Sequence, residues 1–165
     1  MPIDIGEVAP DFTLPSANNE TISLSQFRGE KYVILSFHVF NFTAGCTTQA
    51  ATLRQYYPQL QDLGAQVLGV SCDHAASSRA WVTALGGLPY PELSDWEPKG
   101  QMSRAYDLWN PERGASQRAI LIIDKEGIIR YRRVYTAPHL PDMEEIVRVL
   151  QQLAASSPTG EGQRK

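Results

Sequence analysis

The chain has 165 residues, 42% of them hydrophobic and 20% charged, with a formal net charge of −3. That length predicts one domain with a core of its own, and the mild acidity offers no attraction to nucleic acid or an anionic membrane. No run approaches membrane-spanning length, MPIDIGEVAPDF lacks the basic and apolar regions of a signal peptide, and the only two cysteines, Cys46 and Cys72, make no disulfide framework. A reducing compartment, the cytoplasm, is therefore the expected location.

Taken in order, Pro2 to Pro15 reads as an entry arm with a short strand at Phe12-Thr13-Leu14. Ser16 to Glu20 is a turn by composition, and Thr21 to Leu24 alternates as a small antiparallel strand. Ser25 is placed to cap a short turn through Phe27, ended by Gly29. Tyr32 to Phe37 is an uncharged apolar run of strand length, suited to burial on both faces. A helix follows from Ala44 or Cys46, with a break expected near Tyr57-Pro58 and a resumption through Leu63. Ala65 to Ser71 is a second core strand, and Asp73 or Ser77 is expected to cap a helix from Ser77 to Leu85.

The prolines in Leu88 to Leu93 leave room for a short extended piece. Gly100 to Leu108 reads as a short helix turning Met102, Ala105 and Tyr106 inward, and Asn110 to Gln117 as a polar loop. Ala119 to Asp124 and Ile128 to Tyr135 form a hairpin about Lys125-Glu126-Gly127. The last helix, Pro141 to Leu153, carries Met143, Ile146, Val147, Leu150 and Leu153 at helical spacing, which is a core stripe. Residues 1–153 thus read as one domain and 154–165 as a flexible polar tail. Two strand–helix–strand units followed by a hairpin and a closing helix predict an α/β fold, thioredoxin-like, with a mixed central sheet flanked by helices.

The chemistry centres on Cys46. It follows a buried strand and the turn Asn41-Phe42-Thr43-Ala44-Gly45, at the first turn of a helix. The free N–H groups and positive dipole end there favour a thiolate, which is the nucleophilic form. The alternative is a small buried apolar side chain. For Cys72, at the end of the second core strand, burial is the expected role. Cys72-Asp73-His74 with Cys46 and His38 fits no metal-ligand spacing, so no metal is expected.

The segment Phe42-Thr43-Ala44-Gly45-Cys46-Thr47-Thr48-Gln49 resembles the peroxiredoxins of the AhpC/TSA superfamily, whose signature spaces Thr43 and Cys46 as here. The likeness extends through Ala9-Pro10-Asp11-Phe12, Leu68 to Asp73, Ala80-Trp81, Leu93-Ser94-Asp95, Ser103 to Tyr106 and Arg118 to Asp124. From Ser94 to Asp124 it is most like the AhpE-type one-cysteine branch. The resemblance implies a thiol peroxidase that reduces hydrogen peroxide and small organic hydroperoxides through a sulfenic acid, without a cofactor. It implies Cys46 as nucleophile and Thr43 and Arg118 as its catalytic partners. It also implies an external thiol, or a thioredoxin- or glutaredoxin-like protein, as reductant, and a homodimer. Each role is chemically apt. Helix amides and the Thr43 hydroxyl can hold a peroxide, and Arg118 supplies a charge that never titrates.

Four further residues bear on the site. Val39 stands where the family carries proline and cannot fix φ as proline does. His38 stands where many relatives carry tyrosine, either as a hydrogen-bonding group near the site or as a satisfied buried histidine. Gln49 continues the helix, and the resemblance adds a tie into the local network. Cys72 is the one available resolving cysteine, which keeps a two-cysteine cycle open beside the one-cysteine cycle. The reading from a different class is a thioredoxin-fold redox-sensing or binding protein with weak turnover.

Overall fold

The computed structural model describes residues 3–156. Its centre is a five-stranded sheet in the order β5-β4-β3-β8-β9. The middle strand, β3 (Tyr32–Phe37), is the uncharged run of the sequence, and all six residues are buried. It runs parallel to β4 (Ala65–Ser71), which pairs in parallel with β5 (Glu92–Ser94). On its other side it is antiparallel to β8 (Arg118–Ile123), which forms a hairpin with β9 (Ile129–Tyr135). The sheet is therefore mixed, with a parallel half and an antiparallel half, as the element order predicted.

Alternation along the strands divides the core in two. On one face Ile34, Val67, Ile120 and Ile122 pack against α1 (Ala44–Asp62) and α4 (Met143–Ala155), through Leu53 and Leu60 and through Ile146 and Leu150. On the other, Leu35, Phe37, Val70 and Leu121 pack against Phe12, Ile22, Met102 and Tyr106. That second face is closed by the antiparallel pair β1 (Thr13–Pro15) and β2 (Thr21–Ser23), a 3-10 turn at Leu24–Phe27, and α3 (Gln101–Ala105).

Several local expectations are corrected. The α1 helix does not break at Pro58. Proline inside a helix costs about 3 kcal/mol, but burial of Leu53, Tyr57 and Leu60 on both sides of it returns roughly 1.5–3 kcal/mol each. Pro58 itself is exposed, on the side where a long helix can bend. The helix α2 (Ala75–Ala84) starts earlier than expected and is capped by His74, whose Nδ1 accepts from the Ala76 N–H at 3.1 Å. Asp73 and Ser77 do not cap it; Asp73 is engaged elsewhere. The 3-10 turn begins one residue before Ser25, and its start is tied by the Gln26 side chain accepting from the Ser23 N–H. In α3, Ser103 rather than Ala105 turns inward with Met102, and Ala105 is exposed. The loop after Leu108 contains a small antiparallel pair, β6 (Trp109–Asn110) with β7 (Ala115–Ser116). Ala154 and Ala155 extend α4 rather than starting the tail, and the tail expected over 157–165 lies outside the described residues.

Candidate active site

The loop from His38 to Thr43 leaves the carboxyl end of β3 and delivers the chain into α1. Thr43 is the N-cap in extended conformation (φ −103°, ψ 154°), and its C=O accepts from Thr47 N–H at 2.9 Å. Phe42 before it has φ +65°, which places a bulky side chain in the left-handed region and leaves it 60% exposed. Strain of this kind persists only where the surroundings over-determine the backbone. Here the hydrogen bonds of Asn41 do so. Its N–H donates to Asp73 Oδ2 at 3.0 Å, its Nδ2 donates to Ser78 Oγ at 3.0 Å, and its Oδ1 lies 2.6 Å from His38 Nε2.

Cys46 sits in the first turn of α1, 1% exposed, and is a free thiol, as is Cys72. Arg118, the first residue of β8, reaches across to it. Its Nη1 lies 3.5 Å from Cys46 Sγ and donates to Gln49 Oε1 at 2.7 Å. One helical turn beyond Cys46, the buried Gln49 uses its Nε2 to hold Ser36 Oγ at 2.7 Å and the Phe37 carbonyl at 3.2 Å. Its amide therefore does more than continue the helix. It locks α1 to β3 with one end and orients the guanidinium with the other. Thr43 is exposed, and its hydroxyl donates to the Phe40 carbonyl at 2.8 Å, not toward Cys46. Val39 is half-buried in the same loop, outside any strand or helix.

His38 is 3% exposed and stacks on the Trp81 ring of α2, with centroids 4.9 Å apart. Burial pulls its basicity below the usual histidine value, against the opposing effects of the Asn41 hydrogen bond and the Asp73 charge. It is a buried histidine, and its Nε2 is bonded to the loop that carries the thiol.

Cys72 lies just past β4 and is 1% exposed. Its Sγ is 3.6 Å from Ser103 Oγ and 3.9 Å from Asp95 Oδ2, on the α3 side of the sheet. Burial pushes the thiol up above its usual value. Cys46 approaches from α1, on the opposite side. The two cysteines thus lie in different layers of the fold.

Sequence reading missed Glu92. It occupies β5, flanked by Pro91 and Leu93, and is 2% exposed. Its one signal was a lone acid in a short apolar strand. Its carboxyl folds over Gly69 of β4, where a Cβ would overlap it. Burial first, then the negative charges of Asp73 and Cys46, push this carboxyl well above the usual range, so the uncharged acid is the favoured form. Among the described residues, no group of three His, Cys, Asp or Glu side chains is placed to hold a metal ion.

The chain is similar to known proteins over most of its length. The family model described as "AhpC/TSA family" matches residues 5–132. The chain is 34% identical over 158 residues to a protein named peroxiredoxin from Thermoplasma volcanium, covering 93% of this chain and 76% of that one. It is 33% identical over 129 residues to alkyl hydroperoxide reductase E of Mycobacterium bovis, covering 78% and 84%. Among solved structures, Enterococcus faecalis AhpC matches with a TM-score of 0.85 at 28% identity, over 94% of this chain and 96% of that one.

Proposed function

The chain belongs to the AhpC/TSA family and is a thiol peroxidase, and from that premise we propose that Cys46 reduces peroxides by a one-cysteine cycle. The observation that carries this reading is Arg118 Nη1, 3.5 Å from a sulfur in the first turn of α1. A guanidinium and the helix amides together stabilise a thiolate and the charge that spreads over sulfur and oxygen as the O–O bond lengthens. The thiolate attacks one peroxide oxygen, the S–O bond forms as O–O breaks, and the leaving oxygen takes up a proton to depart as water or an alcohol. Cys46 is left as a sulfenic acid, two electrons more oxidised. Thr43 is assigned to the peroxide, its hydroxyl turning from the Phe40 carbonyl to accept and donate when the substrate enters. Gln49 is assigned to holding Arg118 in place.

The position of Cys72 supports the one-cysteine cycle. A resolving thiol must bring its Cα within about 7 Å of its partner. Cys72 is packed on the far side of the sheet with Asp95 and Ser103, and moving it would open buried packing. The sulfenic acid is then reduced by an external thiol, a small molecule or a thioredoxin- or glutaredoxin-like protein. We assign hydrogen peroxide and small organic hydroperoxides as substrates, the chain through the end of α4 as one catalytic domain, a homodimer as the working form and the cytoplasm as the location. Among the described residues, no helix is long and apolar enough to cross a membrane.

A peroxide-consumption assay with a thiol reductant tests the reading. Wild type is expected to turn over, and Cys46→Ser to be inactive, because a serine hydroxyl is not ionised at neutral pH. Substantial turnover in Cys46→Ser would move the chemistry to another group.

A further inference from the structure

The peroxidatic loop is held by Asn41, and Asn41 is held by His38. The nearest acid to the other ring nitrogen of His38 is Glu92. Behind α1, the sheet presents Ser36, Gly69 and Glu92 in one row across β3, β4 and β5. Because Gly69 has no side chain, the Glu92 carboxyl lies over it, along the sheet toward His38. Its Oε1 stops 3.9 Å from His38 Nδ1, and that oxygen has no hydrogen-bond partner among the described residues. A buried polar atom without a partner calls for an explanation.

The ring protons supply one. Asn41 Nδ2 donates to Ser78, so Asn41 Oδ1 is the acceptor facing His38. His38 Nε2 therefore carries a proton, and in the neutral ring Nδ1 is left as an acceptor. The group facing that acceptor is the Glu92 carboxyl. We propose that Glu92 is a positioning residue for the Cys46 loop, its carboxyl O–H donating to His38 Nδ1 and so fixing the Nε2–H that holds Asn41. A carboxyl shift of about 1 Å brings the two atoms to hydrogen-bond distance. The charged groups near His38 are Asp73 after β4 and Arg118 of β8, and Trp81 of α2 covers the ring. None of these offers Nδ1 a donor in the structure.

The consequence is a chain of three side chains from the sheet edge to the loop: Glu92 to His38, His38 to Asn41, and Asn41 to the backbone one residue before the strained Phe42. If Nδ1 took the ring proton instead, Nε2 and Asn41 Oδ1 would be two acceptors facing each other at 2.6 Å. The loop would lose its anchor, and Cys46 and Thr43 would lose their fixed relation. This inference rests on Cys46 being the nucleophile, so wild-type oxidation at Cys46 is its internal control.

The test is stopped-flow oxidation by hydrogen peroxide of full-length wild type, Glu92→Leu, Glu92→Gln, Asn41→Ala and the Glu92→Leu/Asn41→Ala double variant, with thermal melts of each. Glu92→Leu is expected to slow oxidation by about tenfold, as small misplacements at a reacting centre do. Its melting temperature should hold or rise, because a desolvated acid has been removed. Glu92→Gln should restore the rate to within about twofold of wild type, since its amide N–H can donate to Nδ1 in the same place. Asn41→Ala should be slowed comparably, and the double variant should be no slower than the slower single, because both act through one chain. Wild-type rates in Glu92→Leu, failure of Glu92→Gln to restore them, or additive losses in the double variant would overturn the proposal. If Glu92→Leu does not fold, the comparison of Glu92→Gln with Asn41→Ala decides it: a glutamine variant as slow as Asn41→Ala overturns it. Wild type that is not oxidised at Cys46 would instead overturn the peroxidase site itself.

Discussion

Gly45 and Arg118 pass so closely that a Cβ on the glycine would lie 3.0 Å from the guanidinium Nη2. The residue before Cys46 thus has no room for a side chain unless the arginine yields. Gly45→Ala is expected to displace Arg118 from Cys46 and slow oxidation by about tenfold while leaving the fold intact. Stopped-flow oxidation beside a thermal melt reads both, and an unchanged rate would mean the guanidinium has slack that the packing does not show. Arg118→Met removes the charge outright, with an expected loss of about a hundredfold, the scale of losing one preorganised donor.

Gln49→Leu separates orientation from charge. Arg118 keeps its charge but loses the acceptor that aims it, and Ser36 loses its buried donor. The expected result is slower oxidation together with a stability loss of about 1–3 kcal/mol for the groups left unpaired. Urea unfolding and stopped-flow kinetics on the same variant check the two effects. Full activity would show that Arg118 finds its position without help.

Cys72 is expected to stay out of the cycle. After one equivalent of peroxide, non-reducing peptide mapping should show no dominant Cys46–Cys72 linkage, and a thiol trap should capture a sulfenic acid at Cys46. Cys72→Ser should retain turnover. A dominant linked peptide together with lost turnover in Cys72→Ser would replace the one-cysteine cycle by a two-cysteine one.

Glu92 makes stability depend on pH in a direction that can be worked out. Its folded carboxyl is raised, whereas the unfolded side chain ionises near about 4.3. Above that pH the folded state binds more protons than the unfolded one, so this contribution to stability is full in acid and is lost as pH rises. Glu92→Gln, which does not titrate, should gain stability over wild type from acid to neutral pH and converge with it at low pH. Denaturant unfolding across that range measures the difference. A constant offset would show that Glu92 is ionised in the fold.

The fold was legible because its signals are local. An uncharged run of six residues has the length of a buried strand, a 3.6-residue apolar stripe suits a core-facing helix, and their order leaves few topologies. Pro58 shows the limit. Its helix-breaking tendency is local, but Leu53, Tyr57 and Leu60 are held by strands far away in sequence, and their burial outweighs it.

The place of Cys46 at a helix start was also a local matter, since strand, turn and helix are contiguous around it. The rest of the site is assembled by the sheet. Arg118 meets Gln49 across 69 residues because β8 lies beside β3. Glu92 reaches His38 because β5, β4 and β3 pair in one register and Gly69 leaves the way open. Cys72 falls on the far face because side chains alternate along a strand and its continuation, and a shift of one residue would have turned it toward α1. Sequence alone determined that a cysteine would stand in the first turn of a helix, through backbone geometry within a few positions. Which side chains surround it was decided only in the tertiary structure, because strand pairing and side-chain parity set those distances and no local pattern records them.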